Sequence, residues 1–105
     1  TGPSIHQQQG LRSGQQVTVG DYRLVMQRDG NLVEYGPNGA VWSSRTNDPY
    51  SFLVMQGDGN LVMYSRSGGY RWSTATQHRG GTEVRLQSDG NLVMYSNSGG
   101  VIWKR

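Results

Sequence analysis

A nine-residue string occurs three times in this chain of 105 residues. Residues 27–35 read QRDGNLVEY, residues 56–64 read QGDGNLVMY and residues 87–95 read QSDGNLVMY. Gln, Asp, Gly, Asn, Leu, Val and Tyr are identical in all copies, and a tryptophan follows each one: Trp42, Trp72 and Trp103. A unit of about 30 residues cannot bury its apolar face alone, so repeated units must pool their faces into one interior. Hydrophobic residues are only 33% of the chain and glycine takes 16 positions, too thin a supply for separate cores. The chain therefore reads as a single domain, 1–105, with a threefold internal repeat.

Each repeat has the marks of short strands. Residues 23–27 and 31–35 form the arms of a hairpin around Arg28-Asp29-Gly30, and residues 40–43 follow a Pro37-Asn38-Gly39 turn. The second repeat gives 52–56, 60–64 and 70–73; the third gives 83–87, 91–95 and 101–103. Residues 16–19, between Gly14 and Gly20, read as one more strand. Residues 1–10 are polar and glutamine-rich, and Thr1-Gly2-Pro3-Ser4 reads as a cloning remnant. No stretch has a helical period of useful length, so the fold class is all-β.

The hairpin turn decides which side chains share a face. A two-residue Asp-Gly loop would set Arg28 opposite Asn31. A three-residue loop, a type I turn with Gly30 left-handed, sets Gln27 opposite Asn31. The apolar pattern selects the second. It gathers Leu24, Met26 and Leu32 on one face, with Leu53, Met55, Leu61 and Met63, and Val84, Leu86, Leu92 and Met94. Gln, Asn, Val and Tyr of every repeat then face outward. Solvated faces usually drift between copies; here that face is constant while the inner one exchanges Leu, Met and Val. A fixed turn accounts for Asp and Gly. It does not account for Gln27, Val33 and Tyr35, which lie outside the turn.

The outward set is rich in hydrogen-bonding groups and poor in reactive ones. Asp accepts, Asn and Gln both accept and donate, and Tyr does both through one hydroxyl. This suits a neutral ligand dense in hydroxyls with one apolar patch, as a sugar ring is. A hydroxyl between Asp and Asn has its donor and acceptor roles met at once.

The pattern Gln-x-Asp-x-Asn-x-Val-x-Tyr, present three times with a following Trp, resembles the monocot (bulb-type, snowdrop-like) mannose-binding lectins over nearly the whole chain. The resemblance implies a β-prism II fold: three antiparallel four-stranded sheets with pseudo-threefold symmetry and tryptophans in the central core. It also implies up to three carbohydrate-binding sites, without metal or other cofactor, for mannose or mannose-rich glycans. By that likeness Asp29 and Asn31 hold the axial 2-hydroxyl, Gln27 the 3-hydroxyl and Tyr35 the 4-hydroxyl, and Val33 packs on ring carbons. Gln56, Asp58, Asn60, Val62 and Tyr64 repeat the set, as do Gln87, Asp89, Asn91, Val93 and Tyr95. Exchange of C-terminal strands between partners, frequent in the family, leads us to expect a homodimer. Residues 11–21 are the alternative source of a fourth strand within the chain.

The sequence departs from the family in three ways. It has no cysteine, where plant members usually carry a pair within one sheet, so a bacterial, fungal or animal relative is expected as readily. Glu34 stands where the other repeats have Met63 and Met94, and a carboxylate is not buried there unless paired; the expectation is a looser first sheet or a contact with another chain. Arg85 replaces Val25 and Val54 on the outer face beside the third site and is expected to be surface charge, with a bond to an extended glycan as the alternative.

Other functions fit less well. A net charge of +3 from nine scattered arginines and one lysine is not a nucleic-acid footprint. No apolar run reaches the length of a membrane span, and no signal-peptide pattern opens the chain. A secreted or cell-surface setting is expected, with the cytoplasm left open by the lack of cysteine. His6 and His78 lie outside the repeats, and the motif carboxylates lie in separate repeats, so no acid–base pair of a hydrolase is expected. A β-trefoil would carry Gln two residues before each Trp, where this chain has Ala40, Tyr70 and Val101. The remaining alternative is a structural or protein-interaction prism that binds no sugar.

Overall fold

The computed structural model of the protein describes residues 3–105. Its strands are β1 (Ser4–His6), β2 (Gly10–Leu11), β3 (Gln16–Val19), β4 (Tyr22–Met26), β5 (Leu32–Gly36), β6 (Gly39–Ser43), β7 (Phe52–Met55), β8 (Leu61–Tyr64), β9 (Tyr70–Ser73), β10 (Gly81–Leu86), β11 (Leu92–Ser96) and β12 (Val101–Lys104). They form three antiparallel four-stranded sheets, in the orders β3-β4-β5-β6, β2-β7-β8-β9 and β1-β10-β11-β12. This is the β-prism II architecture, one sheet per repeat.

The fourth strand of every sheet comes from the N-terminal segment. That segment crosses all three sheets in turn, giving β1 to the third, β2 to the second and β3 to the first. Its inward residues are Ile5, Leu11 and Val17, paired with Val84, Leu53 and Leu24. They recur every six residues, one per sheet. The expectation that residues 11–21 supply a strand therefore holds for β3, but residues 4–6 and 10–11 are strands as well. Thr1 and Gly2 lie outside the described residues. Pro3 and Ser4 belong to the fold: the Pro3 carbonyl accepts from the Leu86 amide (3.1 Å), and Ser4 pairs with Arg85.

The turn geometry is the three-residue form in all repeats. The Gln27 amide donates to the Asn31 carbonyl (2.9 Å) and the Gly30 amide to the Gln27 carbonyl (3.0 Å); the other two hairpins have the same bonds. Gly30 has φ +89° and lies so close to the loop after β6 that an added Cβ would fall 2.0 Å from the Asp48 carbonyl oxygen. Only glycine fits both conditions.

With that register the inner face of each sheet is one apolar row per layer. The row Val17–Leu24–Glu34–Trp42 in the first sheet corresponds to Leu11–Leu53–Met63–Trp72 and Ile5–Val84–Met94–Trp103. Leucine and methionine side chains fill the axis and are buried. The three tryptophans meet edge to face, with ring centroids 5.6, 6.2 and 6.2 Å apart. They pack against the core but each keeps part of its surface exposed, so they close the interior rather than occupy its centre.

Glu34 corrects an expectation. It is fully buried, and its partner lies within the chain. Arg105, beyond β12, reaches across the prism to it with two bonds, Nε to Oε1 (2.8 Å) and Nη2 to Oε2 (2.9 Å). Arg105 also donates to the Gly90 carbonyl. The hydrogen bond with Glu34 raises the guanidinium pKa above its ordinary value.

The same corner in the other sheets shows what this pair replaces. Thr46 Oγ1 donates to the Gly30 carbonyl (2.6 Å) and rests 3.3 Å from the Met63 sulfur. Thr76 Oγ1 donates to the Gly59 carbonyl (2.8 Å) and rests 3.4 Å from the Met94 sulfur. Each residue ties the turn of one sheet to the inner row of the next. Arg105 makes the third tie, from Gly90 to Glu34. Glutamate at 34 and arginine at 105 are thus a single paired departure from the repeat.

Removing one partner of a buried ion pair strands the other, whereas replacing both by well-packed apolar residues is close to neutral. Arg105→Ala is expected to lower the unfolding free energy by about 3–5 kcal/mol in denaturant titrations. Glu34→Met combined with Arg105→Met, which removes both charges, should cost no more than about 1.5 kcal/mol. Equal losses would contradict the pairing.

Candidate functional site

The repeated face of each sheet lies outward, at the turn end of the central hairpin. In the first sheet Asp29 is exposed, Gln27, Asn31 and Tyr35 are half-buried, and Val33 is buried. Asp29 Oδ1 accepts from the Asn31 amide (3.0 Å), an Asx turn that tightens the loop. Gln27 lies opposite Asn31, and Tyr35 opposite Arg23. The Gln27 and Tyr35 side chains are hydrogen bonded to each other over the Val25–Val33 pair. The Gln27 amide is best satisfied with Oε1 accepting from the Tyr35 hydroxyl and Nε2 donating to Asp29 (3.2 Å to Oδ1, 3.3 Å to Oδ2).

This bridge explains why Val33, Val62 and Val93 are only 4%, 2% and 3% exposed. They form the floor of the groove, and the apolar surface they offer a ring is small. The Tyr rings above them carry more of it.

Asn31 is held from below. The Ser44 hydroxyl and the Thr46 amide both point at its Oδ1 (3.3 Å each). The second sheet repeats this with Thr74 (3.1 Å) and the Thr76 amide (3.2 Å) on Asn60 Oδ1. With Oδ1 engaged inward, Nδ2 is left to face the groove as a donor. These two grooves thus set a carboxylate acceptor beside an amide donor, the arrangement a single hydroxyl satisfies fully. The tryptophan-proximal strings WSSRT (42–46) and WSTAT (72–76) carry these hydroxyls. In the sequence they are visible as a second repeated pattern, but nothing there ties them to Asn31 and Asn60.

Solved structures resemble the chain over nearly its full length. A monocot mannose-binding lectin of Gastrodia elata, described as monomeric, shares 39% identity over 96% of this chain and 94% of that one, with a TM-score of 0.89. The chain belongs to the monocot mannose-binding lectin family. The snowdrop (Galanthus nivalis) agglutinin, mannose-specific and complexed with methyl α-D-mannoside, matches at 33% identity over 90% and 89% of the two chains, TM-score 0.84. The Polygonatum cyrtonema lectin, complexed with monomannoside, matches at 36% over 95% and 92%, TM-score 0.82. No protein-family model matches the chain, and no curated protein matches it by sequence.

Within this lectin domain the grooves are alike in motif but not in surroundings. In the third, Arg105 occupies the place of Ser44 and Thr74, its amide donating to the Leu92 carbonyl (3.1 Å) as theirs do to Leu32 (2.9 Å) and Leu61 (3.0 Å). Its side chain goes to Glu34, and among the described residues no hydroxyl stands under Asn91. Asn91 Nδ2 turns instead to Asp89 Oδ2 (3.1 Å), and the donor and acceptor partly satisfy each other. Arg85 is more than surface charge. It pairs with Glu83 (3.0 Å) and its guanidinium lies 5.4 Å from the Tyr95 ring centroid, at the wall of the groove. Arg23 lies over Tyr35 at 4.4 Å, while Tyr64 has Phe52 beside it at 5.9 Å.

Thr74→Ala removes a hydroxyl that serves both the Leu61 amide and Asn60. It is expected to destabilise the domain by about 1–2 kcal/mol in chemical denaturation, with Thr74→Ser restoring most of the loss. No loss in the alanine variant would contradict the anchoring.

Proposed function

We propose that the protein is a lectin for terminal mannose on mannose-rich glycans, using up to three grooves and no metal ion. The observation that carries this is the outward pair of Asp acceptor and Asn donor, fixed by the Asx turn and, in two sheets, by hydroxyls beneath. An axial 2-hydroxyl donates to Asp29 and accepts from Asn31; an equatorial one, as in glucose, points away from both. Gln27 and Tyr35 take the neighbouring hydroxyls, and the sets at 56–64 and 87–95 act in the same way. The mannosides held by the snowdrop and Polygonatum relatives support this choice of sugar.

A structural prism without sugar binding would leave the outer face free to vary, yet Gln, Asn and Tyr are intact in all three repeats. The face offers recognition groups rather than a nucleophile or an acid–base pair, so the reading is binding and not catalysis. Single-sugar grooves of this shallow kind bind near millimolar, about −4 kcal/mol. Useful affinity comes from joining several grooves on one glycan surface, an avidity gain of about 10²–10⁴. A homodimer by strand exchange would make the β12 contacts between two chains instead of within one, and would double that valence. Mannose-rich glycans on cell surfaces and secreted glycoproteins are the partners in view.

The isosteric triple variant Asp29→Asn, Asp58→Asn and Asp89→Asn keeps the turn acceptor and removes the charge. Calorimetry with methyl α-mannoside should show binding weakened at least about tenfold, since bonds to charged groups contribute about 1.5–3 kcal/mol. An unchanged isotherm would overturn the proposal.

A further inference from the structure

The second groove differs from the others in its neighbours along the sheet. The residues flanking the motif tyrosine are Arg23 and Ala40 around Tyr35, Glu83 and Val101 around Tyr95, but Phe52 and Tyr70 around Tyr64. The second sheet alone carries three aromatic rings in one cross-strand row on its outer face. Phe52 packs on Tyr64 with centroids 5.9 Å apart and planes 32° apart, which stiffens the ring of the motif tyrosine. Tyr70 is different. It is 61% exposed, among the most exposed large hydrophobic side chains of the domain.

Its exposure is not that of a ring standing off the surface. The Tyr70 hydroxyl lies 3.3 Å from Ser73 Oγ, farther along the same strand. Ser73 pairs with Val62, on the floor of the groove. The ring is therefore laid along β9 with its hydroxyl beside the groove floor and a face turned to solvent. Arg71 is held by Asp48 (2.6 Å) and donates to the Tyr70 carbonyl (3.1 Å).

A flat aromatic face beside a hydroxyl-binding groove fits the apolar C–H face of a pyranose. Rings take such partners by offset stacking, and the ligand gives up little conformational freedom to a side chain already pinned. We infer that the second groove is an extended site, in which Tyr70 stacks on the second sugar of an α-linked mannose disaccharide whose terminal residue occupies the Gln56–Tyr64 groove. Ala40 and Val101 provide no such face, so the first and third grooves hold the terminal sugar only. The inference rests on the proposed mannose reading.

The test uses the full chain with the other grooves silenced by Asp29→Asn and Asp89→Asn. Binding of methyl α-mannoside and of the differently linked α-mannobioses is measured by calorimetry. At least one mannobiose should bind about tenfold more tightly than the monosaccharide, the scale of one aromatic contact. Tyr70→Ala should abolish that gain and leave methyl mannoside binding within about twofold; Tyr70→Phe, which keeps the ring and loses its tether to Ser73, should retain part of it. The inference is overturned if no mannobiose gains over the monosaccharide, if the gain survives in Tyr70→Ala, or if Tyr70→Ala weakens both ligands alike. Failure of methyl mannoside to bind even the unaltered chain would sink the mannose reading itself, an outcome distinct from the others.

Discussion

One backbone pair per repeat, the Gln amide to the Asn carbonyl across the Asp-Gly turn, sets which face of each sheet is wet (2.9 Å in the first hairpin). Side chains alternate along a strand, so a register shifted by one residue would send leucine and methionine outward and the Gln, Asn and Tyr set into the interior. The extra turn residue, with glycine left-handed at its end, prevents that. The same closure brings Asp and Asn to adjacent positions at the turn. Core formation and the geometry of the groove are therefore consequences of one local choice, made three times.

Threefold closure imposes a second demand: each sheet must be tied to the next. Thr46 and Thr76 do this with one hydroxyl each, and Arg105 does it with a buried ion pair to Glu34. A buried pair contributes little net stability over apolar packing, but it is intolerant of losing either member. Its effect reaches the ligand face. Arg105 spends its side chain on Glu34 where Ser44 and Thr74 give a hydroxyl to Asn31 and Asn60, and the third groove holds its polar pair turned toward each other. Symmetry in sequence motif thus does not carry through to equivalence of sites.

Much of this architecture is legible in the amino-acid sequence. The three hairpins, their turn type, the inner and outer faces and the candidate groove residues follow from strict repetition and period-two alternation. The first N-terminal strands do not, because β1 and β2 offer three and two residues, too few to display alternation. Their signal is the six-residue interval between Ile5, Leu11 and Val17, meaningful only once the segment is known to wind around three sheets. Glu34 stands out as anomalous within its repeat, but its partner lies 71 residues away in sequence and no local pattern joins them. The depth of Val33 is hidden for a related reason: alternation gives the face a side chain points to, not whether a Gln–Tyr bridge will roof it.

The outward face kept constant through the repeats is held to grip a hexose by an axial hydroxyl set between Asp and Asn, and on that grip the rest of the functional reading depends. The most direct measurement is a backbone-amide NMR titration with methyl α-mannoside, run beside methyl α-glucoside. Mannoside-dependent shifts centred on the turn amides of Asn31, Asn60 and Asn91, with little response to the glucoside, are the predicted result. Shifts confined to other surfaces, or an equal response to both sugars at these amides, would contradict it.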